Sequence, residues 1–421
     1  MSKKRKIYLW GLLLVAVLLP AAAAGCGAGG SERAYAEPAA HVDGRLVGGN
    51  NAFGINLFQA LLGGEPDQNI LISPASVSAA LAMTYNGAAG ETETAMIETL
   101  QLQGMTREEI NGAFADLLSI LRNPDPRVEL VLANSLWMRS GVDFHEDFQQ
   151  RNRDYFQAEL KELDFNAPEA AKTINGWVRK QTRGKIDEIV EAPIDPDTVM
   201  FLINAIYFNG AWTKEFDPDA TREIPFTLPG GGSKEHPVMF REGEFSYLEG
   251  DGFAAARLPY GENERIGMYI FLPDRESSLA DFYGQLDAAN WARWMSSFQL
   301  REGEIGLPRF KYEYEATLNE GLKALGMAIA FSAEEADFSG MRPIPPRLYI
   351  SAVKHKTFIE VNEAGTEAAA ATSTEVKVTS LLPSDEDNFT LIVDRPFFFS
   401  IVDDQTGALL FMGSVADPGQ E

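Results

Sequence analysis

Ser351 and Lys354 stand three residues apart in Ser351-Ala-Val-Lys354, the spacing at which a lysine can deprotonate a serine nucleophile. That chemistry needs the serine at the start of a helix. Here it lies in Leu348-Tyr-Ile-Ser-Ala-Val353, an apolar run that predicts a strand. The partner motifs of such an enzyme do not occur, and neither does a Gly-x-Ser-x-Gly elbow or a phosphate-cradling Gly-Lys-Ser/Thr loop. His41, His145, His236 and His355 fall at no paired helical spacing, and Cys26 is the only cysteine, so neither a zinc site nor an intrachain disulfide is expected. Gly25-Cys-Gly27-Ala-Gly-Gly30 has dinucleotide-binding glycine spacing, but no strand precedes it and no helix follows. Glu334-Glu335 and Asp385-Glu-Asp387 read as solvated acidic faces, and Trp291 with Trp294 as helix packing. No catalytic residue and no cofactor is assigned.

What remains is Glu363-Ala-Gly-Thr-Glu-Ala-Ala-Ala-Ala-Thr372, followed by Ser373-Thr-Glu-Val-Lys-Val-Thr-Ser-Leu-Leu-Pro383. Four consecutive alanines leave no bulk to pack and none to clash. A short helix capped by Thr366 is one reading, since alanine is the best helix former. Five or six such residues nucleate a helix poorly, however, and Val376, Val378 and Thr379 would not extend it. The other reading is a segment shaped to slide between two existing strands. The residues alone leave both open.

The elements around this stretch favour a mixed fold. Thr357-Phe-Ile-Glu-Val-Asn362 predicts a strand running straight into it. Asn51–Leu62 carries a helical stripe closed by Gly63-Gly64, and Asn69-Ile-Leu-Ile72 predicts a strand with Ser73 capping a helix that opens at Pro74. Thr106-Arg-Glu-Glu109 forms a capping box ahead of Ile110, Phe114, Leu117, Leu118 and Leu121. Val128–Met138 predicts a buried strand. Pro168 opens a helix with Ile174, Trp177 and Val178 on one side, ended by Gly184. Thr198–Phe208 is a long central strand whose one interrupting polar side chain is Asn204. Met268–Pro273 and Ile305–Phe310 predict further strands, and Pro396–Val402 with Ala408–Gly413 a closing hairpin. Helices come early and strands late, an α+β pattern without repeats or an internal linker, so 46–421 is expected to be one domain.

The N-terminus reads as a targeting segment. Lys3-Lys-Arg-Lys6 precedes the thirteen-residue apolar run Ile7–Leu19, short for a membrane span, then Pro20-Ala-Ala-Ala-Ala-Gly25-Cys26. Small residues before Cys26 resemble a bacterial lipoprotein signal, with Ala23 where leucine is usual. The expectation is a signal peptide over 1–25, lipidation of Cys26 and a flexible tether over 26–45. The protein would be exported and held at the cell surface or the outer face of a membrane by that lipid, or secreted. The 421-residue chain has a net charge of −25, which argues against nucleic acid and anionic headgroups as partners.

Glu363-Ala-Gly-Thr-Glu with its alanines resembles the hinge of the reactive-centre loop in inhibitory serpins. Other stretches resemble serpin segments in serpin order: Asn69–Leu81, Ile174-Asn-Gly-Trp-Val178 with Thr182-Arg-Gly-Lys-Ile186, Phe201–Trp212, Leu307-Pro-Arg-Phe310, Phe338-Ser-Gly-Met341, and Asp394-Arg-Pro-Phe-Phe-Phe399 with Leu410-Phe-Met-Gly413. The resemblance spans about residues 50 to 417. It implies helices around a large mixed main β-sheet, two smaller sheets and a mobile loop at about 363–388. It also implies a monomeric suicide-substrate inhibitor of serine proteases, and possible action on cysteine proteases. The cleaved loop inserts into the main sheet, a mode of strand addition known for this family, and the acyl-enzyme is trapped. About ten new ladder bonds at roughly 1 kcal/mol each would drive it.

Residue by residue, the resemblance assigns the hinge to Glu363, Gly365, Thr366, Glu367, Ala368, Ala369, Ala370, Ala371 and Thr372. Thr366, Ala368, Ala370 and Thr372 would share one face of the inserted strand. Sheet opening would be controlled by Ser73, Ser76, Asn204 and His355 where the central strands part, and by Trp212 and Arg309 above, with Arg309 opposite Glu363. Counting from the hinge places the cleaved bond at Thr379-Ser380, with Lys377 and Val378 as alternatives. Thr379 favours elastase-like or subtilisin-like targets, and Lys377 would admit a trypsin-like one. The alternative function is a non-inhibitory binding protein of the same fold, whose loop is cleaved without trapping.

Overall fold

The computed structural model describes residues 42–63, 67–196, 198–345, 347–367 and 388–420. Asp43 caps α1 (Gly44–Leu62) by accepting the Arg45 amide, and Gly63, left-handed, ends it. The helix thus begins seven residues before the expected Asn51, inside the stretch expected as tether. Its early glycines mask it in sequence. A Cβ on Gly49 would lie 2.6 Å from the Gln101 carbonyl oxygen, so this glycine serves close packing rather than a turn. β1 (Ile70–Ile72) leads to α2 (Pro74–Tyr85), capped by Ser73 and buried along its whole length. α3 (Gly90–Thr99) and α4 (Arg107–Leu121) follow, the latter opened by the Thr106–Glu109 capping box.

β2 (Val128–Arg139), α5 (Glu146–Phe156), β3 (Glu159–Leu163), α6 (Ala170–Gln181) and β4 (Met200–Ala211) come next. The second half holds β5 (Arg222–Thr227), β6 (Ser233–Glu249), β7 (Phe253–Tyr260), β8 (Ile266–Pro273), α7 (Leu279–Gln285) and α8 (Ala288–Met295). Trp291 and Trp294 of α8 are buried in packing, as expected. β9 (Gln299–Pro308), β10 (Phe310–Thr317), the short α9 (Asn319–Leu322), β11 (Lys354–Asn362), β12 (Gly365–Thr366), β13 (Phe389–Ile392), β14 (Phe397–Asp403) and β15 (Ala408–Val415) complete the described chain.

The strands form two sheets. The mixed six-stranded sheet runs β10-β11-β12-β4-β2-β3, with only β2 and β3 parallel. The nine-stranded one runs β1-β15-β14-β8-β7-β6-β9-β13, with β5 also on β6. The two smaller sheets expected are thus joined through the seventeen-residue β6, which pairs with β5, β7 and β9. The main core lies between the sheets and the early helices, tied by the Tyr312 hydroxyl to the Ile70 and Ser414 carbonyls and by Thr357 to Leu71. A second core lies on the outer face of the six-stranded sheet. There Ile174, Trp177 and Val178 of α6 pack on Trp137, Ile203 and Ala205. Among the described residues no helix is long and apolar enough to cross a membrane.

Two expected strands differ. Ile305–Phe310 is not one strand: it is the corner at Arg309 where β9 of one sheet ends and β10 of the other begins. Leu348–Val353 is not a strand at all. Its backbone bonds go elsewhere, Ile350 N–H to Ala330, Val353 N–H to the Asn319 side chain, and the Val353 carbonyl to Leu318 N–H.

Candidate functional site

β4 and β11 are the central strands of the six-stranded sheet, yet among the described residues no ladder joins them directly. What joins them is β12. Gly365 pairs with Asn362 on one side and Ala211 on the other, and Thr366 with Val361 and Gly210. Gly365 and Thr366, the first strand residues of the expected hinge, are therefore already paired on both sides in the sheet.

The seat is made by a tight reversal at Asn362-Glu363-Ala364. Ala364 N–H donates to the Asn362 side chain, Trp212 N–H to the Ala364 carbonyl, and Trp212 Nε1 to the Asn362 carbonyl at 2.9 Å. Gly365 has φ +149°, and a Cβ there would fall 2.1 Å from the Gly210 carbonyl oxygen, so only glycine fits. Arg309, expected opposite Glu363, donates to it through Nε at 2.7 Å, and Thr221 adds a hydroxyl bond at 2.5 Å. Burial pushes the Glu363 carboxyl up, but the bonds from Arg309 and Thr221 outweigh it and hold the group below the usual range.

Thr366 turns inward, 2% exposed, and shares a 2.6 Å hydroxyl–hydroxyl hydrogen bond with Tyr260. The Tyr260 ring stacks on Trp212 at 4.3 Å between centroids. The Glu367 side chain instead pairs with Lys185, in the chain that follows α6. Glu367 N–H donates to the Glu360 carbonyl, and its own carbonyl accepts from Asn209 Nδ2.

At the lower end, Ser73 N–H donates to His355 Nε2 at 3.2 Å and the Ser73 hydroxyl donates to the Leu410 carbonyl. Ser76 N–H closes the cap on Ser73 Oγ. Burial alone pushes the His355 imidazole down to about 4. Asn204 donates to Asn134 at 2.6 Å, not to His355, and its own Oδ1 is buried without a partner. Ser76, Asn204 and His355 line one cavity of about 130 Å³, with Val77, Leu81 and Leu202 among its apolar walls. Three of the four expected residues thus line one cavity, Ser73 is bonded to one of them, His355, and the four do not form one continuous hydrogen-bonded network.

Ala368, Ala369, Ala370, Ala371, Thr372, Lys377, Val378, Thr379, Ser380 and Cys26 lie outside the described residues. Sequence reasoning missed Tyr260, Thr221, Asn209 and Lys185, which touch the hinge from four separate segments. Nothing in their local spacing marks them. Lys354 is ion-paired with Glu191 at 3.1 Å, and Ser351 is exposed in irregular chain, so the Ser-x-x-Lys spacing builds no nucleophile. No group of three or more His, Cys, Asp or Glu side chains among the described residues could hold a metal ion. What the arrangement can do is mechanical: it presents two strand edges, held apart at the top by the start of a third.

Comparison with known proteins places this geometry. The family model "Serpin (serine protease inhibitor)" matches residues 48–418. A leukocyte elastase inhibitor of Bos taurus is 37% identical over 385 residues, covering 89% of this chain and all of that protein. The crystal structure of tengpin, a thermophilic serpin, superposes in its native state with a TM-score of 0.80 at 33% identity, covering 90% of this chain and 95% of that one. The same protein in its latent state gives 0.76 at 32% identity, covering 89% and 98%.

Proposed function

The chain belongs to the serpin family, a family of protease inhibitors, and on that premise we propose that it inhibits serine proteases as a suicide substrate. The protease attacks the loop at Thr379-Ser380, or at Lys377 or Val378, and forms an acyl-enzyme. The freed hinge then continues the strand that Gly365 and Thr366 begin, and the attached protease is carried along the sheet and distorted. The observation that supports this most is the seat itself: two residues of the proposed hinge paired on both sides, between strands that share no direct ladder among the described residues. The residues that follow, Ala368 to Ala371, are small enough to pass beneath α6. The named activity of the bovine relative favours an elastase-like target, and subtilisin-like proteases fit the same small residue at Thr379.

Incubation with elastase, subtilisin and trypsin followed by denaturing electrophoresis tests the reading. A protease–inhibitor band that survives denaturant is expected. Quantitative loop cleavage without such a band would leave a substrate or binding protein instead.

The N-terminal reading is likewise proposed: export through the 1–25 signal, lipidation of Cys26, a tether from there and one domain beyond. Cys26→Ala should move the protein from the membrane fraction to the soluble one.

A further inference from the structure

One cation bridges the chain that follows α6 and the proposed hinge. The chain leaving α6 is fixed by a left-handed Arg183 and Gly184, with Gly184 N–H bonded to Arg179, Lys185 N–H to Thr182, and Ile186 N–H to the Thr182 hydroxyl. Arg183 ties it to Glu129 of β2 at 2.5 Å. From this anchored backbone Lys185 crosses the outer face of β11. Its Nζ lies 4.7 Å from the Phe358 ring centroid, 3.8 Å from Glu360 and 3.6 Å from Glu367.

Glu367 is an unusual residue to find at its far end. Its side chain is 3% exposed and one carboxylate oxygen, Oε2, has no hydrogen-bond partner. Its backbone is left-handed at φ +55°, outside the range of a strand. For the hinge to lengthen beyond Thr366, residue 367 must unwind to an extended conformation. Only the Glu367 side of this pair is buried, Lys185 being about a third exposed, so removing the lysine leaves a buried carboxylate without its cation at a cost that solvent reduces.

We propose that Lys185 is a positioning residue that holds the hinge at Glu367, so that the chain following α6 and the seated hinge are released together. The proposal rests on the insertion mechanism above and adds the contact that sets where insertion starts. The charged and titratable groups facing Glu367 are Lys185 after α6, Tyr207 on β4 and Glu360 on β11. Behind them Lys311 of β10 pairs with Glu360, and Glu129 of β2 with Arg183. Burial raises the Glu367 carboxyl above its ordinary value, Lys185 and Tyr207 opposing it and Glu360 adding to it.

The test is a mutant cycle read on the intact full chain. Lys185→Met keeps the stem over Phe358 but leaves Glu367 uncompensated. The apparent melting temperature should fall by about 2 °C near neutral pH. The deficit should shrink at about pH 5, where more of Glu367 is protonated. Glu367→Gln should abolish the deficit at both pH values, and Lys185→Arg should restore wild-type melting. Equal deficits with and without Glu367, or no deficit in either background, would overturn the proposal. Glu367→Gln alone supplies a second reading should Lys185→Met fold poorly: relieving a buried charge, it should raise melting at neutral pH. Melting does not depend on protease trapping, so the cycle still reports on the contact if no inhibitory complex forms. Where complexes do form, the stoichiometry of inhibition should rise in Lys185→Met and return in the double variant.

Discussion

The upper and lower ends of the β4–β11 seam are built from opposite materials. Above, Trp212, Tyr260, Arg309, Thr221 and Lys185 hold Asn362, Glu363, Thr366 and Glu367 through hydrogen bonds and ion pairs, and the strands are already bridged. Below, Ser73 and His355 make a single buried bond beside a cavity, and the Asn204 amide oxygen is buried without a partner. Under the proposed insertion, the difference would suit a zipper that starts at one end, with order where the added strand would begin and room where it would arrive. It also gives the ends opposite responses to acid. His355 sits below its ordinary value and loosens the lower end on protonation, whereas Glu367 sits above its own and is better accommodated in the upper end when neutral.

The largest break in this comparison comes at the seat. Thr366→Arg would force a charged side chain against Tyr260, where the native threonine is 2% exposed. Inhibition should be almost wholly lost while cleavage of the loop continues, so electrophoresis should show cleaved chain in place of complex. Stable complexes from this variant would mean that the strand enters by another route. Next in size is the strand itself. Nicking the loop should raise melting by about 10 °C, since about ten added ladder bonds are worth about 10 kcal/mol. Intact and nicked samples melting together would mean that the resting fold stores no energy.

The lower end is tested by pH. A neutral imidazole at about 4 in the fold and 6.5 when free gives stability that is fully present above 6.5 and lost as pH falls toward 4. The loss is on the order of 3 kcal/mol. Melting of wild type should therefore drop through that window, and His355→Asn should flatten the drop. An unchanged slope in the variant would move the acid response to another group.

How much of this was legible in the chain depends on whether a residue's neighbours are close in sequence. The Gly365–Thr372 stretch stands out as a run of small residues interrupted by Glu367, but those residues left a helix and an inserting segment both open, and the hinge reading came from resemblance. The Ser73 cap and the Thr106–Glu109 box read locally, because their partners are close in sequence. Arg309 opposite Glu363 was reached through resemblance, and its place at a corner between two sheets was not, since Ile305–Phe310 has the composition of one strand. Tyr260 and Lys185 were illegible. Each matters through a partner more than a hundred residues away, and nothing beside them in sequence encodes it. The Leu348–Val353 run misled for the converse reason: its apolar residues predict a strand, but its amides are satisfied by Ala330 and Asn319.

The smallest expected effect separates anchoring from charge at the upper end. Glu363 is held below the usual carboxylate range, so its contribution to stability is present above 4.5 and is lost as pH falls through its depressed value. Arg309 is nearly half exposed, which screens the pair. Arg309→Met should therefore cost less than about 1 kcal/mol in melting at neutral pH. The Asn362–Ala364 reversal is held mainly by backbone bonds to Trp212 and Phe216, which this substitution leaves in place. Trp212→Phe removes the indole donor to the Asn362 carbonyl and should cost more than Arg309→Met. If the two ranked the other way, the seat would be held by charge, and the contrast between a bonded upper end and a loose lower end would have to be redrawn around Glu363.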